Sequence, residues 1–158
     1  MVALLGNIIW LILGGWVLFI LYALGACLFF PIFVPIFRIA RFAVWPFGRT
    51  TVTSGRIEKY KEITGKVETA DYAGSVTTGT SSIINFLWMC TFGWILALTH
   101  LLCAVLNLCV IWLIVTIPNI GGHWKMMPVA FRPLNRTIVP QAVADEINNT
   151  VAKAKLGI

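Results

Sequence analysis

Two stretches of this chain read alike and decide its fold: residues 6–16 are GNIIWLILGGW, and residues 84–94 are INFLWMCTFGW. In both stretches an asparagine, a tryptophan, a glycine and a second tryptophan stand at the same spacing. A further set of matches follows at a larger constant spacing and pairs Pro31, Arg38, Pro46 and Arg49 with Pro118, Lys125, Pro133 and Arg136. The pattern predicts a tandem internal repeat whose second copy carries an insertion before its proline.

Composition places this repeat in a membrane. Of the 158 residues, 59% are hydrophobic and 11% are charged, whereas soluble domains average about 45–50% and about 25%. Residues 1–37 and 72–124 contain no Asp, Glu, Lys or Arg. A helix needs about 20 apolar residues to cross a bilayer, so both stretches are long enough. The composition excludes a soluble single domain and predicts an integral membrane protein.

We predict an all-α membrane fold, because neither apolar stretch shows the period-two alternation of transmembrane strands. Each repeat is expected to form a helical hairpin, or else one long helix followed by an interfacial helix. No basic residue precedes the first apolar stretch, so we expect that stretch to be retained rather than cleaved as a signal peptide. The predicted boundaries are a first membrane repeat at 3–48, a polar linker at 49–82, a second membrane repeat at 83–136 and a tail helix at 137–158.

Basic residues predict the orientation. Lys and Arg outnumber Asp and Glu both in the linker and in the segment beyond Pro118, and such segments generally stay on the cytoplasmic side. Two hairpins with both termini inside satisfy this rule. In the second repeat they require a tight turn near Thr99 and His100, unless that repeat is a re-entrant hairpin. Residues 55–65 of the linker fit either a short helix or a pair of strands, and Pro140 and Gly157 bracket a tail helix over residues 141–156.

The repeated residues resemble a known family. The Asn-x-x-Trp motif with its following Gly-Trp, the later proline with a basic residue seven positions on, and the run Trp45-Pro46-Phe47-Gly48-Arg49 are similar to the YccF inner-membrane domain family, a two-copy bacterial membrane domain. The resemblance covers about residues 3–48 and 81–136. In the second copy, Arg132-Pro133-Leu134-Asn135 replaces the Trp-Pro-Phe-Gly run. The resemblance implies a multi-pass inner-membrane protein and supplies no catalytic residues.

Side chains suited to catalysis or metal binding are few. The four cysteines form no C-x-x-C motif and lie in apolar runs, so we expect buried free thiols and no metal site. His100 lies inside an apolar stretch, where ionisable groups are costly and often functional, yet no acidic residue lies there to form a relay with it. Catalytic triads, paired carboxylates and phosphate-binding glycine motifs are absent from the sequence. We therefore expect no enzyme activity and no cofactor.

The repeated asparagines and tryptophans are the first set of candidate functional residues. Asn7, Trp10 and Gly14 share one helix face, and Asn85 and Trp88 repeat that face. An asparagine near the start of a span can cap the helix or contact headgroups. Alternatively, the two copies or several subunits present these groups toward a shared axis. The candidate pore or helix-interface residues are Asn7, Trp10, Gly14, Asn85, Trp88 and Asn107.

The second candidate set is a basic belt next to the predicted spans, formed by Arg38, Arg41, Arg49, Lys125, Arg132 and Arg136. Basic side chains at this depth can reach the phosphates of anionic lipids and fix the orientation of the protein. A nucleic-acid site would need accessible stacking aromatics in a soluble module, and here the aromatics belong to the apolar stretches. The net charge of +6 therefore predicts membrane topology and no nucleic-acid partner.

Two functions are open at this point. Because 158 residues give too few helices to enclose a pathway in one subunit, the first hypothesis is a homo-oligomer that forms a channel-like conduit for ions or small solutes. The second hypothesis is a non-conducting adaptor that binds anionic lipids or partner proteins, of unknown identity, through the basic belt and the linker. In both cases we expect a multi-pass protein of the cell inner membrane, with both termini in the cytoplasm.

Overall fold

The computed structural model describes residues 2–65 and 78–158. In this part of the chain most residues are helical, and the other regular elements are short helical turns and two short strands. Each repeat folds in the same order into a helical hairpin, a strand and a surface helix. The predicted all-α membrane fold is confirmed for the two repeats, and the strands are an addition that the sequence did not indicate.

The first hairpin begins with helix α1 (Val2–Trp10), which continues through a π-helical turn (Leu11–Gly15) into helix α2 (Trp16–Leu28). The chain reverses through a 3-10 turn (Phe30–Ile32) and returns along α2 as helix α3 (Phe33–Val44). Proline is tolerated at this reversal because the first turn of a helix does not use its backbone N–H groups. The first repeat is therefore a hairpin with one long arm and one shorter arm.

The second hairpin repeats this plan with helix α5 (Thr78–Trp88), a π-helical turn (Met89–Gly93), helix α6 (Trp94–Cys109), a 3-10 turn (Ile114–Thr116) and helix α7 (Ile117–Phe131). The extra residues of the second copy lengthen α6 and the turn that follows it. The chain therefore reverses between α6 and α7, close to the proline that matches the one at the first reversal.

The prediction of a turn near Thr99 and His100 is wrong, because both residues lie within α6. The Thr99 hydroxyl donates to the carbonyl oxygen of Ile95 at 2.7 Å, so its hydrogen-bonding capacity is used by the backbone of its own helix. His100 is fully buried between the hairpins. The polar residues Thr99 and His100 in this apolar run therefore make contacts inside the protein and do not form an exposed turn.

Two helices are long and apolar enough to cross a membrane by length and composition: Ala3–Leu28, with 26 residues and mean hydropathy 2.3, and Thr80–Cys109, with 30 residues and mean hydropathy 2.0. At about 1.5 Å per residue, both exceed the ~30 Å hydrocarbon core of a bilayer. Only 28% and 33% of the residues in their most apolar windows are buried. Most of this apolar surface therefore faces outward, where lipid rather than protein would cover it.

The hydrophobic core lies between the two hairpins. Within each hairpin the long arm packs along the return helix, α2 on α3 and α6 on α7. Large buried side chains from both repeats then meet, among them Trp10, Tyr22, Ile36, Trp88 and Met126. Since aromatic rings bury large areas, these contacts join the two repeats into one packed unit.

Residues 49–65 of the predicted linker and the tail fold together into a small unit that we call the surface module, and residues 66–77 of the linker lie outside the described residues. Strand β1 (Arg49–Thr53) pairs with strand β2 (Arg136–Pro140) in antiparallel register, with Thr51 opposite Ile138. Helix α4 (Ser54–Thr64) and helix α8 (Gln141–Leu156) follow the strands and pack against each other. Helix α8 lies between Pro140 and Gly157 as expected, whereas residues 137–140 of the predicted tail helix belong to β2. Residues 54–64 of the linker form a helix rather than a strand pair.

A small second core holds the surface module together and consists of Val52, Ile57, Ala144 and Ile147. Two backbone hydrogen bonds connect its strands to the ends of the hairpins: the Gln141 N–H donates to the Gly48 carbonyl, and the Ser54 N–H donates to the Asn135 carbonyl, both at 3.0 Å. Residues 49–65 and the tail, which are separate polar segments in the sequence, thus form one body at the hairpin ends.

A polar substitution in this small core should release the tail helix. Ile147 is 6% exposed and Val143, one turn earlier on α8, is 41% exposed. We expect Ile147→Asn to destabilise the module by about 3 kcal/mol through lost burial and an unpaired amide, and Val143→Asn to have little effect. Limited trypsin digestion of the detergent-purified protein measures this, with rapid cleavage after Lys153 only in Ile147→Asn. Equal protection of the two variants would contradict the packing.

Candidate functional site

The repeated asparagine and tryptophan fasten the start of each hairpin to its end. In the first repeat, Asn7 Oδ1 accepts a hydrogen bond from the Phe47 N–H at 2.9 Å, and Asn7 Nδ2 donates to the Phe47 carbonyl at 3.1 Å. Trp10 Nε1 donates to the Ala43 carbonyl at 2.8 Å. Both side chains are 1% exposed. We call this pair of residues, with its backbone partners, the Asn–Trp clamp.

The second repeat contains the same clamp. Asn85 Oδ1 accepts from the Leu134 N–H at 3.1 Å and Asn85 Nδ2 donates to the Leu134 carbonyl at 3.5 Å, while Trp88 Nε1 donates to the Ala130 carbonyl at 2.8 Å. The clamp survives the loss of the Trp-Pro-Phe-Gly run because its partners are backbone atoms. The left-handed residue of that turn is Gly48 (φ +83°) in the first copy and Asn135 (φ +58°) in the second, and asparagine is among the few residues that tolerate this conformation.

The glycine five positions after each clamp tryptophan provides the space for its indole ring. A Cβ atom on Gly15 would lie 2.4 Å from Trp10 Cδ1, and one on Gly93 would lie 3.2 Å from Trp88 Cδ1. Both glycines end a π-helical turn, the one-turn insertion that often marks special sites in helices. The motif Asn-x-x-Trp-x4-Gly therefore encodes the clamp.

Two of the six candidate pore or helix-interface residues lie outside the clamps. Gly14 has φ +128°, and nothing lies within 4 Å of a Cβ atom built on it, because the π-helical turn rotates it away from Trp10. Asn107 lies near the reversal of the second hairpin, where its Nδ2 donates to the Cys103 carbonyl at 2.8 Å. The shared axis predicted for all six residues stays a prediction.

A row of buried polar side chains connects the two hairpins, and we call it the polar row. Tyr22 Oη lies 3.3 Å from His100 Nε2, and His100 Nδ1 lies 3.1 Å from His123 Nδ1. The His123 ring packs against the Trp10 indole with 4.4 Å between ring centroids. Sequence reasoning missed Tyr22 and His123 here. A signal existed, since Tyr22 matches His100 at the same spacing that matches Asn7 to Asn85.

Further polar groups lie between α6 and α7 near the reversal. Asn119 Nδ2 lies 3.5 Å from Asn107 Oδ1, and the Thr116 hydroxyl donates to backbone carbonyls of the turn, including that of Leu113 at 3.0 Å. Asn119 Oδ1 is buried and has no hydrogen-bond partner, which is costly in an apolar interior. The interior of the second hairpin is therefore more polar than that of the first.

The basic belt divides into exposed and half-buried side chains. Arg38, Arg41, Arg49 and Arg132 are exposed. Lys125, in contrast, reaches from the second hairpin to the first and donates to the Pro46 carbonyl at 2.9 Å and the Arg49 carbonyl at 2.8 Å. Its charge thus satisfies carbonyl groups where the first hairpin meets the surface module.

Arg136 is the other half-buried member of the belt. Its guanidinium donates to the Arg132 carbonyl at 2.6 Å, to the Pro128 carbonyl at 3.1 Å and to Thr51 Oγ1 at 3.2 Å. Burial, and secondarily the neighbouring Arg132 charge, lowers the pKa of Arg136, although a guanidinium stays protonated in proteins. Arg136 therefore binds the second hairpin to the sheet as a permanent cation.

One cavity in the described part of the chain adjoins the exposed arginines. It has a volume of about 270 Å³ and is lined by Arg38, Arg41, Phe42, Arg49 and Ile138. Helix α3 contributes the first three residues, and the two strands contribute the others. We call it the arginine pocket.

The cysteines differ from their predicted placement. All four are free thiols, but Cys27, Cys90 and Cys109 are exposed on the long helices rather than buried, and Cys103 is half-buried. The prediction of buried thiols is thus wrong for three of them, because an apolar run in a membrane helix faces lipid as well as protein. Among residues 2–65 and 78–158, no group of three or more His, Cys, Asp or Glu could hold a metal ion.

Comparison with known proteins agrees with this geometry. The sequence model of the YccF family, described as an inner membrane component domain, matches residues 5–49 and 83–136. These two segments cover most of each hairpin and both clamps, and each ends at the first residue of a strand. No curated protein and no solved structure matches the chain. The resemblance inferred from the repeated motifs is confirmed, with two copies of the domain.

Proposed function

Because the chain belongs to the YccF inner membrane component domain family, we propose that this membrane protein is a non-enzymatic, non-conducting adaptor. In this proposal its two hairpins hold the surface module at the cytoplasmic face of the inner membrane, where the module binds a partner protein. The observation that carries the proposal is the attachment of one module to both hairpins. Such an attachment fixes the height and the angle of the module relative to the bilayer.

The contacts at the module support this reading. Lys125 and Arg136 each bridge the second hairpin and the region of β1, and the strand ends are hydrogen-bonded to both hairpin ends. The outer surfaces of α4 and α8 carry exposed charges of both signs: Arg56, Glu58, Lys59, Glu62, Asp145, Glu146, Lys153 and Lys155. Mixed charges of this kind suit a protein partner with a complementary pattern.

The clamps also favour an adaptor over a conduit. The polar atoms of Asn7, Trp10, Asn85 and Trp88 are hydrogen-bonded to backbone groups of their own repeat. A side chain that lines a water-filled path must offer its polar atoms to the path. These four residues therefore act in folding, and the exposed faces of the long helices are apolar.

Site-specific photo-crosslinking tests the adaptor. A photo-reactive amino acid in place of Lys59, which is exposed on α4, is expected to trap a protein partner in native membranes. The same amino acid in place of Ile12, which is 72% exposed on the membrane helix, serves as the matched control and should trap lipid. Protein adducts at Ile12, with none at Lys59 or other exposed module positions, would contradict the proposal.

Cysteine labelling tests the proposed orientation. In a background without the four native cysteines, Asn149→Cys lies on the exposed side of α8 and Trp112→Cys lies at the far reversal, 72% exposed. We expect a membrane-impermeant maleimide to label Trp112→Cys in intact spheroplasts and to label Asn149→Cys only after the membrane is opened. The reverse pattern would overturn the orientation that the basic residues predict.

A homo-oligomeric conduit for ions or small solutes is the second candidate, and the polar row favours it. Ionisable groups inside a membrane protein are costly and often mark ion pathways, and His100 and His123 adjoin each other there. Recording in planar bilayers separates the candidates. The adaptor predicts silent bilayers, whereas a conductance that His100→Phe changes and Thr99→Val does not would replace it with the conduit.

A further inference from the structure

The arginine pocket brings three positive charges to one small cavity. Arg38 and Arg41 are exposed, stand three residues apart on α3 and lie on neighbouring turns beside the buried Phe42, and Arg49 begins β1. None of the five lining residues is acidic. Three guanidinium groups that share one cavity repel each other, and an anion between them would remove this repulsion. The planar fork of arginine is suited to phosphate oxygens.

The second repeat carries a different set of residues at the matching positions. Lys125 and Arg136 match Arg38 and Arg49 in the repeat, and both are bonded to carbonyl groups of the protein. The residue that matches Arg41 is Pro128, which carries no charge. The three arginines therefore occur together at these positions in the first copy of the repeat and not in the second.

The sheet explains part of this difference. Thr51 and Ile138 lie opposite each other in the two strands. Arg136 donates to the Thr51 hydroxyl, but the matching position beside Arg49 is Ile138, which has no side-chain acceptor. Arg49 donates instead to the Trp45 carbonyl over a long 3.4 Å contact. Its guanidinium therefore retains donors that can turn to a bound anion.

The position and size of the pocket select the anion. The pocket lies where α3 leaves the apolar hairpin and meets the polar sheet, which is the depth of lipid headgroups in a membrane-embedded hairpin. Its volume of about 270 Å³ is below the ~300–1,000 Å³ of pockets for drug-sized ligands, so it fits a headgroup. We propose that Arg38, Arg41 and Arg49 bind the phosphate of one anionic phospholipid per chain. This inference rests on the proposed function, because it requires the surface module to lie at the membrane surface.

Native mass spectrometry with added phosphatidylglycerol tests the site on the full detergent-purified chain. We expect one tightly retained lipid per chain, and a ten- to hundredfold weaker retention in Arg41→Gln, since a charge-assisted hydrogen bond is lost. Arg132→Gln is the matched control, because it removes the same charge from an exposed residue outside the pocket. Arg41→Lys should retain part of the binding, since it keeps the charge without the fork.

Three results would decide against the proposal. Equal lipid loss in Arg41→Gln and Arg132→Gln would show that lipid retention depends on the net positive charge of the protein and not on the arginine pocket. Binding of inorganic phosphate as tight as that of phosphatidylglycerol would replace the lipid with a free anion. No retained lipid in the wild-type chain would remove the site altogether. Failure of the proposed function is distinguishable, because it would abolish crosslinking at Lys59 and leave the Arg41-dependent lipid binding in place.

Discussion

Replacing Gly122 with alanine is expected to lower the free energy of unfolding by about 2–3 kcal/mol, whereas the same replacement at Gly121 should leave it unchanged or raise it by up to about 1 kcal/mol. Both glycines lie inside α7. A Cβ atom on Gly122 would lie 2.7 Å from Trp10 Cζ3 and 3.2 Å from Phe47 Cζ, while a Cβ atom on Gly121 would meet nothing within 4 Å. The same substitution at two neighbouring glycines is thus predicted to change the free energy of unfolding in different directions.

The cost at Gly122 is large because Trp10 cannot move aside. Its indole nitrogen is bonded to the Ala43 carbonyl, and the Gly15 backbone leaves no further room behind the ring. Thermal unfolding in detergent, followed by circular dichroism, measures both variants. Equal midpoints for the two alanine variants would mean that the hairpins do not pack at this glycine.

The second large effect is expected for Asn7→Leu, which should destabilise the protein by about 2–4 kcal/mol. Leucine fills a similar volume, but it leaves the Phe47 N–H and carbonyl groups without the partners that Asn7 provides. Asn85→Leu should cost less, because one of its hydrogen bonds is 3.5 Å long and Asn85 is only half-buried. Asn149→Leu, at an exposed position of α8, is the control.

Chemical unfolding of the three leucine variants in detergent checks this ranking. The predicted order of stability is Asn149→Leu above Asn85→Leu above Asn7→Leu. An Asn7→Leu variant that is as stable as the wild type but altered in conductance would reverse the assignment, because Asn7 would then act in transport and not in the clamp.

The repeat made the hairpins predictable, and the motif spacing contained more than its residue types revealed. Asn7 and Trp10 match Asn85 and Trp88 at one constant spacing, which predicts equivalent roles. The spacing does not show that Asn7 and Trp10 bond to backbone groups of Phe47 and Ala43, because backbone atoms leave no signature in side-chain patterns. The same limit applies to Gly15. On an uninterrupted helix Gly14 would share a face with Asn7 and Trp10, but the π-helical turn places Gly15 beside the Trp10 ring instead.

The strands and the contacts within the polar row were missed for a different reason. Strands β1 and β2 have five residues each. They are far apart in the sequence, and neither is long enough to predict its partner. His100 looked like a turn residue because the stretch around it is otherwise apolar. Its actual partners, Tyr22 and His123, come from helices whose packing becomes apparent only in three dimensions.

The pairing of β1 with β2 has a consequence for biosynthesis. A ribosome completes the first hairpin and β1 long before it reaches β2, and until then β1 presents an unpaired strand edge and the Pro46 carbonyl lacks Lys125. An unpaired edge can capture the matching strand of another chain. Nascent chains inserted side by side could therefore exchange their C-terminal strands and helices. Translation stalled within the second repeat would leave a half-built domain for the quality-control proteases of the membrane to remove.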